Sequence, residues 1–203
     1  MNDWTKLPDE KTLDRTVAAL RANGIEAIVV ENGEAARRKA LELIPEGAEI
    51  MNNSSVTLDS IGLAKELTES GRYKSVRKQL MSMDRKTQNH EMQSIGAAPE
   101  WTTGSVHAVT EDGHVLIASN SGSQLPGYAS GAEHVLWIAG AQKVVKDTAA
   151  GVERIYEHCL PLEDARARKA YGVGSAVNKL LIVNADKKEG RITLIIIKEA
   201  VGF

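Results

Sequence analysis

The residues best suited to chemistry in this sequence gather in four short polar strings. The first, NNSSVT (residues 52–57), leaves the apolar stretch AEIM and opens a helical pattern. Its N–H groups, with the side chains of Asn53, Ser54, Ser55 and Thr57, suit a carboxylate or phosphate at a helix N-terminus. A simple N-cap by Ser55 or Thr57 is the competing reading. The second string is TTGS (102–105), in which Gly104 and Ser105 precede His107. The third, SNSGSQLPGYASG (119–131), lies between the apolar runs HVLIA and HVLWIAG. A loop so rich in Gly and Ser can turn its N–H groups toward an anion, and Gly122, Ser123 and Gln124 are its candidates. The fourth, YGVGSAVNK (171–179), offers Asn178 and Lys179 on a loop entering a strand; a helix C-cap is the alternative there. The first three strings are expected to form walls of one small-ligand pocket.

Three side chains could act on a bound molecule. Glu111, in the turn EDG between two strands, is placed to be a nucleophile or base if its surroundings tune it. Near the same turn, either His107 or His114 could be a general base, an exposed strand-end histidine with no role being the competing reading. Other chemistries lack their patterns. The glycines of YGVGSAVNK follow a helix and precede a strand, the reverse of a dinucleotide fingerprint, and no phosphate-binding P-loop spacing occurs. No G-x-S-x-G elbow accompanies the serines. The five histidines (90, 107, 114, 134 and 158) have no metal-ligand spacing, and the lone Cys159 cannot assemble an iron–sulfur cluster, so no metal and no cofactor are expected in this chain.

The elements that must position these residues alternate. A helical pattern in LPDEKTLDRTVAALRANG precedes the strand IEAIVV, the helix GEAARRKALELI, the strand AEIMN and the helix beginning in NSSVTLDS. Residues 72–99 have weak periodicity. Beyond them come SVHAVT and HVLIAS joined by EDG, the run HVLWIAG, a helical stretch from Asp147 to about Tyr171, and KLLIVNAD and RITLIIIKE joined by KKEG. The reading is an α/β fold, a mostly parallel sheet with helices on both faces and some antiparallel pairing in the two turn-linked pairs. In such sheets ligands sit beyond the carboxyl ends of the strands.

At 203 residues the chain is long enough for a single domain over residues 1–203 with its own core. A net charge of −2 gives no general attraction to nucleic acid. The basic cluster of Arg77, Lys78, Arg85 and Lys86 has no interleaved aromatic residues and is expected to be a solvated face. Neither a signal-peptide layout nor a run of about 20 apolar residues is present, and a lone cysteine suits a reducing compartment, so a cytoplasmic protein without a membrane span is expected.

Longer strings carry a resemblance. GSQLPGYASGAEHVLWIAGAQKVVKD, ERIYEHCLPLEDARARKAYG, SAVNKLLIVNAD and GRITLIIIKEAVGF, preceded by LRANGIEAIVVENGEAA and IPEGAEIMNNSSVTLDSIGL, closely resemble the LUD-domain family, named for lactate utilisation. The likeness covers nearly the whole chain and is greatest to small members of the lactate-utilisation protein C group. It implies a fold similar to ribose-5-phosphate isomerases and CoA transferases. It also implies a part in oxidising L-lactate to pyruvate, with an iron–sulfur LUD partner and a further lactate-oxidation subunit. Lys143, inside the resembling string IAGAQKVVKD, joins the ligand-binding candidates. Two functions stay open: a cluster-free accessory subunit binding a small carboxylate or a partner protein, and a stand-alone enzyme acting on a sugar phosphate, acyl-CoA or hydroxy acid through Glu111.

Overall fold

The longest unbroken apolar runs occupy the middle of a parallel sheet. In a computed structural model that describes residues 3–203, the chain runs α1 (Glu10–Ala22), β1 (Ile25–Val30), α2 (Gly33–Leu43), β2 (Glu49–Asn52), α3 (Val56–Ser60), α4 (Leu63–Glu69), β3 (Lys74–Ser75), α5 (Val76–Met81), α6 (Asn89–Ala97) and β4 (Trp101–Gly104). It continues through β5 (Ala108–Thr110), β6 (Val115–Ser119), β7 (His134–Gly140), β8 (Val144–Val145), α7 (Thr148–Arg154), α8 (Leu160–Tyr171), β9 (Lys179–Val183) and β10 (Ile192–Ile197). Six strands pair in the order β1-β10-β7-β4-β2-β3, every pair parallel. The sequence ITLIII of β10 lies between β1 and β7, with apolar partners on either side except at Thr193, which lies beside Glu26. Burial on both faces is what a strand with no polar alternation requires.

The two faces are covered differently. On one, Ala36 and Ala40 of α2, Leu58 of α3, and Leu63 and Leu67 of α4 pack on Leu136, Ile138, Ile195 and Ile197. On the other, Leu13 and Leu20 of α1 share the sheet's Ile25, Trp137 and Leu194 with Val109, Val115 and Ile117 of a second sheet. That sheet has the order β8-β5-β6-β9, with β5–β6 and β6–β9 antiparallel. Helices therefore lie on both faces, α1 sharing its side with four strands.

The hairpin expected around EDG is β5–β6. The second expected pair is not a hairpin: β9 joins the small sheet and β10 the large one. The connection between them is anchored by Asp186, whose N–H donates to the Asn23 carbonyl at 2.9 Å and whose carboxylate accepts from Arg191 at 2.6 Å. Residues 72–99 resolve into β3 and the short helices α5 and α6. The helical stretch from Asp147 is capped by that residue's carboxylate, which accepts from the Ala150 N–H at 2.9 Å. It runs through a π-helical turn, Ile155–Cys159, into α8, which ends at Gly172 with φ 74°.

Candidate functional site

The carboxyl ends of β2, β4 and β7 open together into a cleft of about 790 Å³. Asn53, Ser54, Ser55 and Thr57 enter it from the loop after β2, Ser105 and His107 from the connection after β4, and Lys143 from the turn after β7. The small sheet adds Ala118 and Ser119 from the end of β6, followed by Ser123 and Gln124. Ile155, Cys159 and Leu160 of the π-helical turn and α8 form a further wall.

Each polar string has a distinct task. Asn53 is buried, and its side-chain amide donates to Thr102 Oγ1 at 3.0 Å, the Thr103 carbonyl at 3.1 Å and the Tyr128 hydroxyl at 3.3 Å, which fixes the loop to β4. Gly104 shows why this strand end needs glycine: a Cβ there would overlap the Tyr128 hydroxyl. Burial pushes the Tyr128 phenol far above its ordinary pKa, so it stays neutral. Ser55 is the N-cap of α3, accepting from the Leu58 N–H at 3.3 Å. Ser54 accepts from Arg77 Nη1 at 2.9 Å, so Arg77 is held over the cleft, whereas Lys78, Arg85 and Lys86 are exposed. The expected solvated face thus loses Arg77 to the site. In the Gly/Ser-rich loop, the Ser119 hydroxyl donates to Gln124 Oε1 at 2.9 Å and accepts from the Gly122 N–H at 2.8 Å.

The floor holds one buried cation, and a second lies behind it. Lys143 is 2% exposed, and its ammonium donates to Ser105 Oγ at 3.0 Å, the Val106 carbonyl at 3.1 Å and Thr57 Oγ1 at 3.2 Å. Burial, and then the positive Arg154, pull its pKa down to about 7. Arg154 is wholly buried, with Nη1 donating to the His107 carbonyl at 2.6 Å and to Cys159 Sγ at 2.9 Å. Its Nε and Nη2 find no partner among the described residues. The third buried cation differs. Arg191 is paired with Asp186 and also donates to the carbonyls of Ala132, Gly127 and Tyr128, each at 3.0 Å.

His107 Nδ1 accepts from the Ala118 N–H at 3.1 Å, which assigns the ring proton to Nε2. Burial, then Lys143 and Arg154, drive its pKa down to about 3. The ring is therefore neutral at physiological pH, a hydrogen-bond donor and not a ready base. Burial also pushes the Cys159 thiol up, against the pull of Arg154 and Lys143.

Most of the expected site residues converge, and some do not. Gly104 and Gly122 support the walls without lining the cleft; a side chain at Gly122 would meet that of Lys179. Asn178 also stands behind the lining, donating to Asn120 Oδ1 at 2.7 Å. Glu111 is elsewhere. Its carboxylate accepts from Arg15 of α1 at 2.7 Å. It lies beyond β5 from His107, and four residues of extended chain separate the two by roughly 13 Å, far more than the contact a base or nucleophile needs. Glu111 is accordingly no longer a catalytic candidate. Sequence reasoning missed Tyr128, Arg154 and Cys159. One signal was available for Arg154: it follows Gly151 by one helical turn and precedes Ile155 and Cys159, on a stripe of buried positions.

A parallel six-stranded sheet with a polar cleft at its carboxyl ends, walled by a smaller mixed sheet, defines an α/β fold of the kind that places ligands at strand ends. The chain belongs to the LUD-domain family, whose model matches residues 13–202. Among solved structures, it is similar to the crystal structure of a DUF162 family protein from Deinococcus radiodurans, with a TM-score of 0.54 and 12% identity over 95% of this chain and 98% of that one. At that identity the likeness speaks for the fold. No curated protein sequence matches significantly. Family membership carries a lactate-utilisation-related role at the level of the family.

Proposed function

We propose that this LUD protein binds a small carboxylate in the cleft and serves lactate oxidation as a cluster-free, cytoplasmic accessory subunit. One observation carries the reading: the buried Lys143 on the cleft floor, and Arg154 behind the lining residues His107 and Cys159, have no carboxylate against them among the described residues, whereas the buried Arg191 has Asp186. A buried charge is costly unless it is paired. A ligand carboxylate offsets that cost when it enters, with Ser105 and Thr57 hydroxyls, the His107 Nε2–H and Arg77 as further donors. The electrons of lactate oxidation go to an iron–sulfur LUD partner and a further subunit, because the single cysteine here is buried against Arg154. Among the described residues no helix is long and apolar enough to cross a membrane.

The test is thermal unfolding with L-lactate, pyruvate, ribose 5-phosphate and acetyl-CoA. A carboxylate at about 100 times its dissociation constant adds about 2.7 kcal/mol of stability. Lactate or pyruvate is expected to stabilise the wild type and Glu111→Gln, and to leave Lys143→Met unmoved. Stabilisation by the sugar phosphate or acyl-CoA alone transfers the site to the stand-alone enzyme reading, and no stabilisation by any of the four overturns both.

A further inference from the structure

We propose that Lys143 is a covalent amine site, forming an imine with short 2-oxo acids that enter the cleft. The inference rests on the carboxylate-binding reading above and adds a bond to it. Three observations carry it. Lys143 Nζ lies on the cleft floor, and its contacts are all neutral oxygens: two hydroxyls and a backbone carbonyl. No carboxylate holds it as an ammonium ion among the described residues, while the Arg154 guanidinium, behind the His107 and Cys159 that line the cleft, disfavours a second positive charge. A buried lysine beside another cation is the arrangement that activates an amine for attack on carbonyl carbon.

Position selects the substrate class. The hydroxyls of Ser105 and Thr57 accept from Nζ at 3.0 and 3.2 Å, and their own protons, given over 3.4 Å to the Val106 and Val201 carbonyls, can turn to a carboxylate. A carboxylate resting there leaves its neighbouring carbon one bond further on, against Nζ. In a 2-oxo acid that carbon is the carbonyl carbon. The neutral Nζ attacks it, the C–N bond forms, and the carbonyl π pair moves to oxygen. That oxygen takes both Nζ protons and leaves as water, and one proton from solvent converts the imine into the iminium. No oxidant or reductant is needed. The product is a buried cation with its own carboxylate beside it, so the ligand supplies the counter-ion that the protein does not. The His107 Nε2–H remains a donor to the departing oxygen.

The experiment is reductive trapping of the intact protein with pyruvate and cyanoborohydride, read by intact mass and peptide mapping. One reduced pyruvate adduct per chain is expected on Lys143, with Lys65, the other cleft lysine, unmodified. In Lys143→Arg, which keeps a cation but cannot form an imine, labelling is expected to fall to background. Pyruvate stabilisation without an adduct on Lys143 overturns the imine and leaves the carboxylate reading standing. Absence of both overturns the two together. Adducts spread over surface lysines, equal in wild type and Lys143→Arg, also overturn it. Should the variant fail to fold, the wild-type peptide map decides alone.

Discussion

Lys143 should make the stability of this protein rise with pH in a window where most proteins change little. Its pKa is about 7 in the folded state, against 10.5 for a free lysine. Between those values the unfolded chain binds the extra proton, so the folded state gains as pH increases; the gain is complete above 10.5 and gone as pH falls through 7. At about 1.4 kcal/mol per unit of pKa difference, a folded value near 7 predicts about 2 kcal/mol between pH 7 and 9. The charged groups facing it are Arg154 and, if deprotonated, Cys159; His107 is neutral throughout this range. Urea unfolding of wild type and Lys143→Met at pH 7, 8 and 9 isolates the effect, because all other titrations are common to both proteins. The difference in unfolding free energy should shift by about 2 kcal/mol in favour of wild type across that range. A difference flat to within a few tenths of a kcal/mol would refute the claim that the lysine is buried without a counter-ion.

Three further outcomes follow from the same geometry. His107, with a folded pKa of about 3 against 6.5 unfolded, should cost stability as pH falls below 6.5, by up to about 1.4 kcal/mol per pH unit, and His107→Gln should flatten acid unfolding curves between pH 6 and 4. Gly104→Ala should destabilise by about 1–3 kcal/mol through overpacking against the Tyr128 hydroxyl, and the loss should shrink in a Tyr128→Phe background, measured as a double-mutant cycle in Tm. Arg191→Met strands the half-buried Asp186 carboxylate and the three carbonyls that the guanidinium joins, and should cost about 2–4 kcal/mol, whereas Arg154→Met breaks no ion pair and should cost clearly less in the same urea titration; equal losses would contradict the contrast between the two arginines.

What the sequence made legible was governed by periodicity and what it hid was governed by distance along the chain. ITLIII and HVLWIAG have no polar alternation and read directly as doubly covered strands, which they are. KLLIVNAD and RITLIIIKE read as a hairpin because the only local signal was the turn KKEG. Their assignment to different sheets is decided by burial: Leu180 and Ile182 of β9 are exposed, and β10 is enclosed. The cleft loops were legible because ligand sites in parallel sheets follow strand ends, so NNSSVT and TTGS were found without knowing the strand order. Glu111 was misjudged on residue type; the strand between it and His107 sends it to the opposite end of the hairpin. Tyr128 and Arg154 were missed because an aromatic ring in a glycine loop and an arginine in ERIYEH look like ordinary turn and surface residues until the tertiary fold buries them.

The retained cations explain why this cleft does not simply fill with apolar side chains. Lys143 lines the cleft with Ile155, Cys159, Val106 and Tyr128, and Arg154 lies behind His107 and Cys159; a methionine or leucine at either position would pack at less electrostatic cost. The fold bears that cost beside the three strand ends where its loops converge, while among the described residues the one other buried cation, Arg191, is paired. The neutral His107 and Tyr128 complete the pattern, since each is a donor that burial keeps uncharged beside the positive floor. On the proposed reading, fixed donors around an unpaired cation would hold a ligand anion with little rearrangement, and the ligand would restore the stability given up there. The Asn53 amide and the glycine at 104 tighten the same wall by drawing β2, β4 and Tyr128 together, so the rigidity of the cleft and its charge arise from neighbouring residues on the same strand ends.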